Sequence, residues 1–321
     1  PPGRDMYATR KNRRSNVGVQ RNNYLTPMEI SHGIELFLRL FLAYLVVEFL
    51  LRPAPPTKDR SGNGWRSGPL AYHAFTAGLL TFLFTSLWNI TFVLRDPSSL
   101  PGLLLQFRDA LLYAFVLVTV AHFVIDGMLP DLVVGIRKRM ARGRDPDDKD
   151  GMPEPAGWLF IAHLAVLFIV LALLSPQTPA PYPCGSPVEI IRIWIVVTAF
   201  LLVLQPGGIL VGSVIRFWRK DMDASREDGL DHVGRLIGYV ERVLIVTFIL
   251  VNEYTAIGFL IAAKGLFRIN DTKRSEYIIV GTMVSFAVAV LIGAAAGYLV
   301  CQGGIEQLIG YLSEFLQLSR M

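Results

Sequence analysis

Residues 103–129 read LLLQFRDALLYAFVLVTVAHFVIDGML, a long apolar run interrupted near its end by His122 and, four residues later, Asp126. At 1.5 Å per residue, a helix of this length covers roughly 40 Å, more than the ~30 Å hydrocarbon core of a bilayer. Residues four apart share a helix face, so the imidazole and the carboxylate project together. Ionisable groups at such depth are costly and by default mark a site or a pairing network.

The rest of the chain repeats this pattern. Of its 321 residues, 52% are hydrophobic and only 18% charged, with a mean hydropathy of +0.44; soluble domains carry roughly 25% charged residues. Further apolar runs cover 33–51, 70–94, 157–174, 190–217, 236–251 and 277–300. The expected fold is therefore all-α, a polytopic transmembrane bundle of about seven helices over residues 30–300. A basic arm, 1–29, precedes it, and an amphipathic helix, 301–321, follows. Pro206-Gly207-Gly208 should kink or break the fifth helix. Asn252-Glu253-Tyr254 splits the sixth, and its second leg, 255–267, is short enough to be re-entrant.

Lys and Arg outnumber Asp and Glu by 31 to 26. The loops at 52–66, 137–149 and 219–235 are basic, whereas 95–101 and 175–187 carry almost no charge. The positive-inside rule assigns the first three to the cytoplasm. No aromatic–basic module accompanies the charge, so nucleic-acid binding is not expected. Cys184 and Cys301 are the only cysteines, so a thiolate metal centre is not expected. A disulfide between them is open if both face the exterior. No glycine-rich phosphate loop, nucleophile elbow or H-E-x-x-H helix is present.

Helix counting brings five polar residues to one depth. Glu48 ends the first helix and His73 opens the second; His122 and Asp126 lie near the end of the third, and His163 near the start of the fourth. Consecutive helices run antiparallel, so all five fall in the same leaflet. Three imidazoles and two carboxylates suit zinc or iron, and a bound ion can activate water for hydrolysis. Plainer readings use the same residues. His73 and His163 lie within two turns of the interface, where carbonyls or headgroups satisfy them, and His122 and Asp126 form an internal pair.

Other ionisable residues read as structural. Glu35 and Arg39 are spaced to pair along the first helix, Arg108 and Asp109 to serve neighbouring helices, and Glu189 and Arg192 sit at a helix start. Glu241 and Arg242 are adjacent and point to different helices. Glu253 at the helix break joins them as a polar network, and broken helices with acids are how ion paths are built.

The C-terminal half carries a resemblance. Gly234-Arg235-Leu236-Ile237-Gly238 with Glu241-Arg242, then AIGFLIAAK over 256–264, then Ser275-Glu276-Tyr277 with Gly281-Thr282, resembles a bacterial multi-pass membrane family known only as a domain of unknown function. With the first four helices, the resemblance covers most of residues 33–298 and implies a bacterial inner-membrane location. The family's first helix carries a His and, four residues on, an Asp; Tyr44 and Glu48 match those positions. His73, and His122 with Asp126, match its later His and His-x-x-x-Asp positions. Its fourth helix bears Asp-Gln before a His; Leu159 and Phe160 stand in that region, and His163 is kept. With some polar positions replaced, the leading expectation is a non-catalytic accessory or scaffold subunit of a larger membrane complex. Its partner proteins would contact residues 1–29 and 304–319. The alternative is a metal-dependent, hydrolase-like membrane enzyme holding zinc or iron through His73, His122, Asp126 and His163, with Glu48. A transporter is third.

Overall fold

Proline, glycine and polar clusters interrupt the apolar runs, and the helices end at those interruptions. The structure is a computed structural model that describes residues 27–51, 68–93, 100–140, 155–174, 187–218, 231–266 and 275–318. Helix α1 (Pro27–Leu45) runs on into a π-helical turn, Val46–Leu50; α2 spans Gly68–Val93. Helix α3 (Leu100–Asp109), a π-helical stretch (Ala110–Leu117) and α4 (Val118–Met140) follow one another without a gap. Next come α5 (Pro155–Leu174), α6 (Pro187–Val203), α7 (Gln205–Trp218), α8 (Asp231–Leu250), α9 (Tyr254–Leu266), α10 (Ser275–Cys301) and α11 (Gly304–Leu318). Among the described residues there is no strand.

By length and composition, Phe107–Leu129 and Val280–Cys301 can each cross a membrane. The pair Val188–Val203 and Gln205–Val214, bent by 44°, makes a third span if taken as one. The expected count of about seven is not reached on this criterion among the described residues. Helices α1 and α8 carry several ionisable residues each, and Leu159–Leu174 and Tyr254–Leu266 are apolar but shorter. The outer surface fits a lipid environment. Leu112, Val116, Val120, Val124, Met128 and Leu132 form an exposed apolar stripe at four-residue spacing, longer than soluble proteins leave uncovered.

Three apolar clusters hold the helices. Leu40, Tyr44 and Leu45 of α1 pack with Ala77 of α2, with Ala114 and Val118, and with Leu167 and Val170 of α5. Ile191 and Ile195 of α6 meet Ile30 of α1, Ala296 of α10 and Ile305 and Ile309 of α11. Ile245 and Ile249 of α8 pack on Phe286 and Ala289 of α10, with Ile257 and Leu260 of α9 alongside.

Two close approaches depend on glycine. A Cβ on Gly78 of α2 would lie 2.5 Å from the Phe115 carbonyl oxygen, and one on Gly293 of α10 would lie 2.7 Å from Ile249 Cδ1 of α8. Gly293 and Gly297 are four apart, the small-x-x-x-small spacing that lets membrane helices come close. The α8–α9 turn places Asn252 at φ 61°, and the α10–α11 turn places Gly303 at φ 70°. Asn and Gly are the residues that enter this left-handed region most readily.

Candidate metal centre

Four elements bring the five polar residues together. Glu48 sits in the π-helical turn that ends α1, where the Leu51 N–H donates to the Val46 carbonyl at 3.0 Å. His73 lies in the second turn of α2, His122 and Asp126 in α4, and His163 in α5. All five side chains are buried. His73 and His163 are thus enclosed in the bundle and do not lie at its surface.

The two central histidines are held the same way. His122 Nδ1 is 3.1 Å from the Val118 carbonyl oxygen, and His163 Nδ1 is 2.8 Å from that of Leu159. A carbonyl only accepts, so each Nδ1 carries a proton, and each ring in its neutral form presents its Nε2 lone pair on the other side. Both Nε2 atoms are buried and have no hydrogen-bond partner. An imidazole oriented by a carbonyl through one nitrogen, with the other free, is the arrangement found in metal-ligating histidines.

The opposing atoms complete the cluster. His73 Nε2 lies 3.4 Å from Glu48 Oε2 and 3.8 Å from Asp126 Oδ2, and His163 Nε2 lies 3.8 Å from Asp126 Oδ1. The two 3.8 Å separations are too long for hydrogen bonds. They are close to the edges of a coordination shell, where bonds of about 2.0–2.2 Å set ligand atoms roughly 3–4 Å apart. Glu48, His73 and Asp126 each offer one ligand atom, all within 4.8 Å of one another. The rings of His122 and His163 have centroids 4.3 Å apart. Tyr44, one turn before Glu48, walls the site: its buried ring lies 5.6 Å from that of His163 and 6.4 Å from that of His122.

Among the described residues of the C-terminal half, the buried charges Glu241 and Arg242 are partnered within the protein. Arg242 donates through Nε to the Val203 carbonyl at 2.5 Å, through Nη2 to Leu204 at 3.1 Å and through Nη1 to Ser285 Oγ at 3.0 Å. These carbonyls lie at the α6–α7 break, where the Leu204 carbonyl also accepts the Gly208 N–H at 3.1 Å. Glu241 turns the other way and ion-pairs with Lys264 of α9, so the two adjacent residues serve separate helices as their spacing predicts. Glu253 does not join them. It is exposed at the α8–α9 turn, twelve residues beyond Glu241 and roughly 18 Å along the helix axis.

Glu35 and Arg39 pair along α1 as expected, and the Arg39 guanidinium lies 5.7 Å from the Trp194 ring centre. Arg192 pairs with Glu306 at 2.6 Å and ties α6 to α11. Arg108 and Asp109 do not reach out to separate helices; they pair with each other at 2.8 Å, because the largely exposed Arg108 folds back onto its neighbour. Cys301 is exposed, with its Sγ 3.8 Å from the Leu250 carbonyl oxygen; Cys184, the other half of the disulfide left open by the sequence, lies outside the described residues, as does the basic arm over residues 1–26.

No protein family, curated protein or solved structure matches this chain. The site is therefore argued from its own geometry. Sequence reasoning missed the π-helical turn that carries Glu48 and the close packing of Tyr44. It also missed the Arg242 clamp, although a Pro-Gly-Gly break with a single arginine in the next helix is a usable signal for one.

Proposed function

We propose that this chain is a multi-pass membrane protein whose N-terminal helices hold a metal ion, zinc or iron, between α1, α2, α4 and α5. The observation that carries the reading is the pair of buried imidazoles, His122 and His163, fixed through Nδ1 with Nε2 left without a hydrogen bond. A purely structural network would use those atoms, since an unsatisfied buried polar group costs about 1–3 kcal/mol. Three nitrogen and two oxygen donors suit either metal. The ion would polarise a bound water for hydrolysis at the cytoplasmic side of a bacterial inner membrane, the side to which the basic loops 52–66 and 137–149 point. The resemblance of the C-terminal half to a bacterial multi-pass family supports the location and a count of about seven crossings.

One observation favours an accessory subunit as the second reading. Helix α11 buries Ile305 and Ile309 but exposes Leu308, Tyr311, Phe315 and Leu318 on one side, a stripe that a partner protein would cover. A transporter has less support, because the break between α6 and α7 is filled by the Arg242 guanidinium, where an ion path would need open carbonyls.

Elemental analysis of the gently purified full chain, alongside its native mass, tests the reading. Stoichiometric zinc or iron is expected. A chain without metal, recovered in a complex with other proteins, would replace the metal reading with the subunit reading.

A further inference from the structure

We propose that the crevice between α9 and the C-terminal end of α10 binds an uncharged single-chain amphiphile drawn from the bilayer. Helix α9 buries none of its 13 residues. It is held to α8 and α10 by Ile257 and Leu260 and, near its end, by the Lys264–Glu241 pair. Beside the α8–α9 turn, a cavity of about 310 Å³ remains between α9 and α10. Ile249, Ile257, Val290 and Ala294 make its apolar floor, and Asn252, Tyr254, Tyr298 and Gln302 its polar rim. Gly297 keeps the α10 wall low, since a Cβ there would already lie 3.4 Å from Ile249 Cγ2.

The α10 wall belongs to Val280–Cys301, a helix long and apolar enough to cross a membrane, so the cavity opens beside lipid. Its volume is at the low end for ligand pockets and suits one alkyl chain, not two. The floor alone selects nothing, because a chain leaving the bilayer exchanges one apolar surrounding for another. Selection falls to the rim. The Tyr254 hydroxyl donates to Asn252 Oδ1 at 3.3 Å and that of Tyr298 to Gln307 Oε1 at 2.7 Å, and a hydroxyl oxygen that donates can still accept. The amides of Asn252 and Gln302 donate as well as accept. None of the described lining residues is charged, and Glu253 stands exposed in the turn between Asn252 and Tyr254. A head group of hydroxyl and ester oxygens is matched there, whereas an anionic one meets a like charge and no cation among those residues.

Photo-crosslinking of the full chain in lipid nanodiscs with a diazirine-tagged monoacylglycerol, mapped by mass spectrometry, tests this. Cross-links should concentrate on Ile257, Val290 and Ala294, well above those on the exposed stripe Val116, Val120 and Val124. Untagged monoacylglycerol should displace the probe about three- to tenfold better than a monoalkyl phosphate of equal chain length, the worth of roughly one hydrogen bond. Ala294→Phe fills the cavity from an exposed position and should remove the concentration while the stripe stays labelled. Tyr254→Phe with Gln302→Leu leaves the cavity open and should erase only the head-group preference, and it decides the matter if Ala294→Phe does not fold. Crevice labelling no greater than that of the stripe, or unchanged in Ala294→Phe, would mean bulk lipid only and overturn the site. Displacement by the phosphate as good or better, or a preference that survives the rim variant, would overturn the selection of an uncharged head.

Discussion

The N-terminal helices α1 to α5 and the C-terminal helices α6 to α10 both bury ionisable side chains among apolar ones, and they finish them differently. In the C-terminal half, Arg242 makes three hydrogen bonds and Glu241 is paired with Lys264. In the N-terminal half, His122 and His163 are tied down on one side only, their Nε2 atoms make no hydrogen bond, and that of His163 lies 3.8 Å from Asp126 Oδ1, near the length of a coordination edge. A buried polar group serves stability when all its bonds are made within the chain. When its orientation is fixed but its reactive atom is left open, the same burial serves binding instead. The contrast separates a structural polar core from a candidate site inside one bundle, without reference to any relative.

The contrast breaks most visibly at Arg242. Arg242→Leu removes three hydrogen bonds, to the Val203 and Leu204 carbonyls and to Ser285, although Leu204 keeps the Gly208 N–H; the expected loss is about 3 kcal/mol, read as a lower midpoint of thermal unfolding in nanodiscs. Unchanged stability would show that the C-terminal network is not structural, and the distinction between the halves would fail. Gly293→Leu sharpens the same point through packing alone. The new side chain meets Ile249 and the backbone of α8 at Val246, so a loss of about 1–3 kcal/mol is expected, with metal content unchanged. Arg192→Ala sits at the lower end. The Arg192–Glu306 pair is roughly half exposed, so its loss should cost less than about 1 kcal/mol. It should loosen α11 first, measured as faster hydrogen exchange over residues 304–318.

Much of this could be read from the residues alone. Helix ends follow from Pro, Gly and polar clusters, and the break at Pro206-Gly207-Gly208 and the split at Asn252-Glu253-Tyr254 fall where those residues stand. The five-residue cluster was legible because antiparallel connectivity carries depth from helix to helix, a property that does not depend on side-chain detail. What was not legible depends on rotamers and on small changes of helical pitch. The spacing of His122 and Asp126 could not say that His122 would bond Val118 and turn Nε2 into the bundle. Nothing in Val46–Leu50 marks a π turn. Arg108 and Asp109 were expected to diverge, since adjacent residues on a helix usually do, but an exposed arginine is long enough to return to its neighbour. The crossing count needs a membrane-length criterion that the charged helices α1 and α8 do not meet unaided.

The central claim is that His122 and His163 are kept for binding at no gain to the fold. The direct measurement is a thermal unfolding curve and a metal analysis of the His122→Leu, His163→Leu double variant, both on the metal-free and the metal-loaded chain. Each substitution gives up one Nδ1 hydrogen bond, worth about 0.5–1.5 kcal/mol, and removes one unsatisfied buried nitrogen that costs about 1–3 kcal/mol. The metal-free variant should therefore unfold at or above the wild-type temperature, while bound metal falls and the stabilisation by added zinc or iron shrinks. A metal-free variant that unfolds well below wild type, from a wild type that binds no metal, would contradict the account and make the histidines part of the fold's own polar core.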